Sequence, residues 1–549
     1  QPTFDQLDSV RVNGKTQAKY FYSGSRLAPD SVRTDSIKVT RFTYDSRGRA
    51  LTVKDAANAT VTTTYETTHA NASSVARTAS GVATSTASTT YDGSGRPQIV
   101  TDPLGRVFKS YRDALNRDTL HVAPDTAVKT RYRYADLAAT DTVIDANTQK
   151  YTTVRNARGW VVRTVDPLGK ADSARYDRLG RPTRLYGRRG DFVTIAYDGL
   201  DRPTVRTDSA PGGTKNTTTF AYDTNEKWMA VENAESTDTL LVDHAGRPTI
   251  NTTVRAGRIF RIAYGYTAGS LTDQITVRRD SASSIPWADT INVGYNSARR
   301  AYQLMDFGNK TTTMLVDAAG REITDSLPTS TTPASKVRKS IGYSAASQLL
   351  TEAFSGNAAN ALNRTYGGYD ATDRIGTILR PTGTPYPITR YHEYNAMGRL
   401  SHYEDVQEQI IGWDYVWDDW GDGPIVVDST PYYWPVPFRS ATYSYDKVAN
   451  RTDLGATISS GNRMTGLDGW TITYDDAGYM TKRKKGTDSL TYTWNALGQL
   501  EQVTSSVPSY TVTYGYDGLG RRVRKTVNGT ATRYLVQGDR VLVELDNSW

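Results

Sequence analysis

Tyr176-Asp177-Arg178-Leu179-Gly180-Arg181 is the stretch that decides the fold, because the same six-residue pattern returns along the whole chain. Clear copies are Tyr44-Asp45-Ser-Arg-Gly48-Arg49, Tyr91-Asp92-Gly-Ser-Gly95-Arg96, Tyr394-Asn-Ala-Met-Gly398-Arg399 and Tyr516-Asp517-Gly-Leu-Gly520-Arg521. Looser copies lie between them, among them Arg112-Asp-Ala-Leu-Asn116-Arg117, Tyr197-Asp-Gly-Leu-Asp201-Arg202, Tyr369-Asp-Ala-Thr-Asp373-Arg374 and Trp494-Asn-Ala-Leu-Gly498-Gln499. Successive starts at 91, 112, 134, 155, 176 and 197 give a period of 21 or 22 residues, which becomes elastic further on. A fixed period of this size marks a repeat architecture, so domain counts based on length do not apply.

The chemistry of one unit explains its letters. Asp or Asn in the second place accepts from backbone N–H groups ahead of it and starts a turn. The fifth place then requires positive φ, as in a type I turn closed by a G1 bulge. Gly fills it at 48, 95, 180, 398 and 520, and its replacements are Asn116, Asp201, Asp373 and, in a version one residue longer, Asn450. Asn and Asp tolerate the left-handed region best after Gly. Glu226 and Ser347 break the rule and make their units less secure. Tyr before the turn and Arg after it are expected to face each other across the hairpin, within reach of cation–π contact. Flanking segments such as Thr511-Val-Thr-Tyr-Gly-Tyr516 alternate as strands do. A lone hairpin is marginal in water, so the units must pair into one long sheet whose twist makes it coil.

Composition agrees. The 549 residues include 36 Tyr against 10 Phe and no Cys. Tyr covers apolar surface while its hydroxyl reaches a polar partner, which suits thin sheets with half-wetted faces. Without Cys there is neither a disulfide framework nor a thiolate metal site. No run approaches a membrane-spanning helix, and Gln1–Val10 carries no basic head or apolar stretch of a signal peptide. The net charge of +8 comes from Arg distributed among the repeats, with one tight basic run at Lys482–Lys485, so no nucleic-acid partner is expected. His69, His121, His244, His392 and His402 show no ligand or triad spacing. The carboxylates are turn-starting Asp residues, so no catalytic, cofactor-binding or metal-binding residue is assigned and no enzyme is expected.

One segment interrupts the repeats: Gly412-Trp413-Asp-Tyr-Val-Trp417-Asp-Asp-Trp420-Gly-Asp-Gly423, followed by Pro431-Tyr-Tyr-Trp434-Pro-Val-Pro-Phe438. It reads as a longer hairpin or loop insertion whose aromatics cover a seam or an end of the body. The sharper reading makes Trp413, Trp417, Trp420 and Trp434 contacts for a partner, cargo or glycan. Asp414, Asp418, Asp419 and Asp422 fit no calcium-loop spacing.

These repeats resemble the YD-repeat, or Rhs (rearrangement hotspot), family from Tyr44 to about Asp546. Asp102-Pro-Leu-Gly-Arg106 and Asp166-Pro-Leu-Gly-Lys170 look like its alternate repeat form, and Asn462-Arg-Met-Thr465 and Tyr534-Leu-Val-Gln-Gly-Asp-Arg540 like the end of its core. The resemblance implies an all-β strip of tandem hairpins spiralling into a hollow, barrel-like cocoon. It covers 1–549 as a single shell, with less regular repeats at 1–43, the Trp/Tyr-rich insertion at 405–440 and C-terminal repeats at 441–549. It further implies an exported or surface bacterial shell that encapsulates or displays a C-terminal effector, a toxin, not present in this chain. The alternative is an extracellular structural or adhesion protein without toxin cargo, self-assembling or glycan-binding. The Asp-Pro-x-Gly closing motif of self-cleaving relatives has no match after the last repeats, so no cleavage site is transferred to any residue.

Overall fold

The computed structural model describes residues 6–546 apart from 13–14, 24–27, 35–37, 214, 269, 281–286, 296–300, 307–309, 318, 320, 329–335, 356–362, 381–387, 413–414, 418–423 and 427–431. Among these the chain is almost wholly strand, with one 3-10 turn at Asp136–Ala138. Outside the 413–431 insertion and the break after Thr442, each strand pairs antiparallel with its neighbours in sequence. Ala171–Tyr176, for example, pairs with Val161–Val165 on one side and Pro182–Tyr186 on the other. Thirty-six described strands form one sheet up to Thr442, the short strands Tyr415–Trp417 and Pro424–Val426 pair with each other, and ten form a further sheet from Thr457 to Leu545. A bridge between Tyr445 and Arg451 stands between them.

The strip has two edges made of turns. The Tyr-Asp turns line one, here called edge A, with examples at 45–49, 92–96, 177–181, 198–202, 475–479 and 517–521. The intervening turns line edge B, including 102–106, 145–149, 166–170 and 187–191. The Asp-Pro-Leu-Gly sequences that read as an alternate form are therefore the same kind of turn on the opposite edge.

Each edge A turn is built as its sequence requires. In the 177–181 turn, the N–H groups of Leu179 and Arg181 donate to Asp177 Oδ1 at 2.9 and 3.0 Å. Gly180 takes φ +88° and the register shifts between Arg175 and Tyr176. Asn116, Asp201 and Asp373 take φ of 65°, 65° and 63° in the same place. Glu226 (58°) and Ser347 (64°) do so as well, so those two less secure units keep the turn. The 446–450 turn is not longer than the others. Ala449 holds the positive φ of 75°, and Asn450 stands where Arg usually does, donating to Asp446 Oδ2 at 2.7 Å.

The expected pairing of Tyr and Arg across one hairpin is corrected. Because of the bulge, Tyr176 lies opposite Pro182, and Arg181 turns back along the edge to donate from Nε to Asp177 Oδ2 at 2.6 Å. Its guanidinium then lies 4.7 Å from the ring centre of Tyr197, which opens the next unit. Arg49 covers Tyr65 and Arg202 covers Tyr222 in the same way, at 4.2 and 4.4 Å. Each covered Tyr donates its hydroxyl to the carbonyl just past the preceding turn, Tyr197 to Pro182 at 2.9 Å and Tyr65 to Ala50 at 2.8 Å. Trp494 does the same through Nε1, to Met480. The motif is thus the joint between consecutive hairpins.

That joint also explains the non-glycine residues at the left-handed position. Asp201 Oδ1 accepts from Arg181 at 2.8 Å and Asn116 Oδ1 from Arg96 at 3.0 Å. Ser347 Oγ accepts from Arg321 at 3.1 Å. A polar side chain here offsets backbone strain with a charge-assisted bond to the preceding unit.

Candidate functional site: the seam between winds

The strip is wound on itself in one direction. Ser85 bonds to Ala371, Asn147 to Asp446, Lys170 to Asp476, Arg189 to Asn495, Arg206 to Gly518 and Arg255 to Tyr534. Both partners advance together along the chain, and their separation stays between 279 residues (Arg255–Tyr534) and 317 (Asp145–Asn462). A strip folded back as a hairpin would instead pair rising with falling numbers. A constant offset means a spiral of roughly 300 residues per wind, in which edge B of the first wind meets edge A of the second. The sheets are not closed by strand pairing there; side chains make the seam.

Three clusters hold it. Near its middle, Asn462 Nδ2 donates to Asp145 Oδ2 at 2.7 Å, Gly461 N–H to Gln149 Oε1 at 2.7 Å and Asn147 Nδ2 to Asp446 Oδ2 at 2.8 Å. Asn462, the head of one end-of-core signature, is therefore a seam residue. Further along, Arg189 on the turn Gly187–Asp191 donates to the carbonyl of Asn495 at 2.6 Å and lies 5.1 Å from the Tyr479 ring centre.

The third cluster is the most buried. Asp238 accepts from Ser236 Oγ and Thr253 Oγ1, both at 2.6 Å, and from Arg521 Nη2 at 3.2 Å. Arg521 also grips its own turn residue Asp517 through Nε at 2.7 Å, and here Asp517 is buried. Beside them Glu235 pairs with Arg524 at 2.6 Å, and buried Arg255 donates to the Tyr534 carbonyl. Burial pulls the Arg255 guanidinium below its ordinary range, while Asp238 and Asp517 oppose that shift. Next to this network lies an apolar plug of Phe260, Ile262 and Val277 from the first wind with Leu535 and Leu545 from the second.

Four motif positions proposed from sequence, Tyr516, Asp517, Gly520 and Arg521, sit at the seam. The copies at 44–49, 91–96 and 176–181 lie on edge A of the first wind. Arg189, Glu235, Asp238 and Arg255 were missed. They lie off the Tyr-Asp turns, and nothing local marks which distant residue they meet. Trp413 and Trp420 lie outside the described residues, as do Asp414, Asp418, Asp419 and Asp422. Trp417 and Trp434 fall in the strands Tyr415–Trp417 and Tyr432–Thr442, with their side chains outside the description. The strand Leu400–Gly412 pairs with Tyr432–Thr442, which makes the insertion an extended hairpin.

Pairing does unite groups whose sequence spacing carried no signal. Ser110 Oγ lies 3.1 Å from His121 Nδ1, and Asp118 Oδ2 lies 3.4 Å from His121 Nε2. Asp118 is also held by Arg112 at 2.9 Å, so its carboxylate is engaged by an arginine on the sheet face. Among the described residues no group of acids and histidines is placed to hold a metal ion, and no helix is long and apolar enough to cross a membrane.

A tandem-hairpin strip wound on itself with a side-chain seam is a shell-like all-β fold built from repeats. Residues 437–538 match the teneurin YD-shell family model, and the chain as a whole has the fold of Rhs shells. The tRNA nuclease WapA of Bacillus subtilis (strain 168) is 36% identical over 119 residues, 19% of this chain and 5% of that protein. The tRNA(Glu)-specific nuclease WapA of Bacillus subtilis subsp. natto (strain BEST195) is 38% identical over 96 residues, 17% and 4% respectively. The chain therefore spans a small fraction of these relatives. The crystal structure of TcdB2-TccC3 without its hypervariable C-terminal region superposes with a TM-score of 0.56 at 12% identity, over 98% of this chain and 31% of that one. At that identity the likeness is one of fold.

Proposed function

We propose that this chain, read as one shell over 1–549, is wall material of an exported or surface bacterial container that encloses or displays a C-terminal effector encoded outside this sequence. The observation that carries the reading is the seam. Successive winds are joined edge to edge by buried ion pairs and an apolar plug, which is what a continuous wall needs and a flat adhesive sheet does not. TcdB2-TccC3, which is similar in fold, has a hypervariable C-terminal region, and the WapA relatives are nucleases much longer than this chain; both support a separable cargo. The wall's work is mechanical and electrostatic, with the repeat turns as its joints, and chemistry resides in what it holds.

The test uses the chain together with whatever its gene encodes after Trp549. A cargo segment should resist protease while the wall is folded and become sensitive once the wall is denatured. Digestion at the rate of the isolated segment would overturn the reading. So would a stop codon there with no neighbouring gene encoding cargo.

A further inference from the structure

One edge A turn at the seam departs from the repeat chemistry at two places at once. In the turn that starts at Asp177, Oδ1 accepts the N–H groups of the turn and Oδ2 accepts Arg181 Nε. The turn Asn395–Arg399 keeps the first half of that device, since the N–H groups of Met397 and Arg399 donate to Asn395 Oδ1, both at 3.0 Å. Where the second carboxylate oxygen would stand it has an amide NH2, which donates and does not accept. Arg399 therefore has no carboxylate in its own turn, and its Nη1 donates to the Asp446 carbonyl at 2.9 Å. The Asn-started turns 156–160 and 495–499 close with Trp160 and Gln499, so they bring no such cation.

The second departure is Gly398. Where a polar side chain occupies that left-handed position it accepts from the Arg of the preceding unit, as Asp201 does from Arg181 and Asn116 from Arg96. Gly398 offers no side chain, and Nη1 of Arg374 in the preceding unit is buried with no hydrogen-bond partner. Arg106, on an edge B turn of the first wind, reaches the same point across the seam. A Cβ built on Gly398 would lie 2.8 Å from Arg374 Nη1 and closer still to Arg106 Nη1. Each of these arginines uses Nε on its own turn, bonding Asp370 and Asp102 at 2.6 Å. Both Nη1 groups are left facing one small space beside Gly398.

We infer that this space is a binding site for one small oxyanion, phosphate or sulfate, held between Arg374 and Arg106 and favoured by the charge of Arg399. Guanidinium N–H groups match oxyanion oxygens in geometry, and such charge-assisted bonds are stronger than neutral ones. The anion takes the part that the Asp201 and Asn116 side chains play in their units. Because Arg106 belongs to the other wind, it also clips the seam. The site stands whether or not the wall holds cargo.

Calorimetry on the 549-residue chain should find one phosphate or sulfate bound per chain. The unfolding temperature should rise with either anion at an ionic strength held constant with chloride. Asn395→Asp restores the usual turn residue, so it should fold normally and weaken phosphate about tenfold or more by supplying the missing carboxylate. Arg106→Gln should weaken it as well, and Gln149 already closes the edge B turn 145–149, so the fold accommodates glutamine in that place. Asn156→Asp, the same change in a turn without a closing Arg, should bind as wild type does. A thermal shift of equal size in chloride alone overturns the inference. Unchanged phosphate binding by Asn395→Asp or Arg106→Gln, with a native circular dichroism spectrum, overturns it too, as does loss of binding in Asn156→Asp. None of these outcomes changes the protease result for cargo.

Discussion

Arg181 stacks on Tyr197 with its guanidinium 4.7 Å from the ring centre, although the two residues belong to different repeats. The same guanidinium bonds its own Asp177 at 2.6 Å and the next turn's Asp201 at 2.8 Å. One side chain therefore closes its own turn and fixes the spacing to the following one, a double task that suits a planar, many-donor cation.

Arg181→Lys should accordingly fail as a conservative change. A lysine keeps the charge but cannot bond two carboxylates in a plane while stacking on a ring. The expected loss is about 1 kcal/mol in thermal or denaturant unfolding. Amide exchange should accelerate at 197–202 as well as at 177–181. Faster exchange confined to 177–181 would mean that the joint between units does not depend on Arg181.

Two glycines at one turn position should respond differently to alanine. Gly48 (φ +80°) has open space where a Cβ would go, so Gly48→Ala meets only the left-handed penalty, about 1 kcal/mol. Gly180 (φ +88°) has the Trp160 ring 2.9 Å from that point, so Gly180→Ala must also displace an indole. Denaturation midpoints should rank wild type above Gly48→Ala above Gly180→Ala. Equal losses would show that the ring yields freely.

Removing Arg521 should separate the winds. The change to Ala strands the buried carboxylates of Asp238 and Asp517, and breaking a buried pair typically costs about 3–5 kcal/mol. Exchange should rise together at 233–255 and 517–545, on both sides of the seam. A rise on the 517–545 side alone would argue against coupling through this residue.

Acid should weaken the turns. The carboxyls of Asp45, Asp92, Asp113 and Asp198 are held below their ordinary range, first by the backbone N–H of the Arg that closes each turn and also by that Arg side chain. A depressed folded pKa contributes stability that is fully present above the unfolded value, about 3.9, and is lost as pH falls through the folded value. The unfolding temperature should be insensitive to these groups near neutrality and drop below about pH 4.

Asp208 has the opposite sign. Burial raises its carboxyl, opposed by Asn216 and Arg206, so its ionised form costs stability at neutral pH and that cost vanishes below the unfolded value. Asp208→Asn should raise the unfolding temperature at pH 7 and leave it nearly unchanged at pH 3. A drop at pH 7 would mean that the carboxylate is needed for its contacts.

The hairpin was legible because everything that makes it lies within six residues. Asp177 accepts from Leu179 and Arg181, and Gly180 supplies positive φ, so the pattern in the text is the pattern in space. Glu226 and Ser347 adopt the left-handed region because propensity for it is a weak preference that pairing of the flanking strands overrides. Arg stacks on the Tyr of the next unit because the bulge moves it out of register with its own Tyr, a shift that alternation along the strands does not display.

The sequence by itself determined the repeat, the turn chemistry and the all-β strip, since these depend on neighbours two to about twenty residues apart. The tertiary structure alone decided that Arg521 meets Asp238, that Arg189 meets Asn495 and that Leu519 is partly covered while Leu200 stands free. Those outcomes follow from small twists summed over many strand pairs, which bring residues some 300 apart to one seam. No single residue encodes that sum, so the wall was foreseeable as a class while its joints were not.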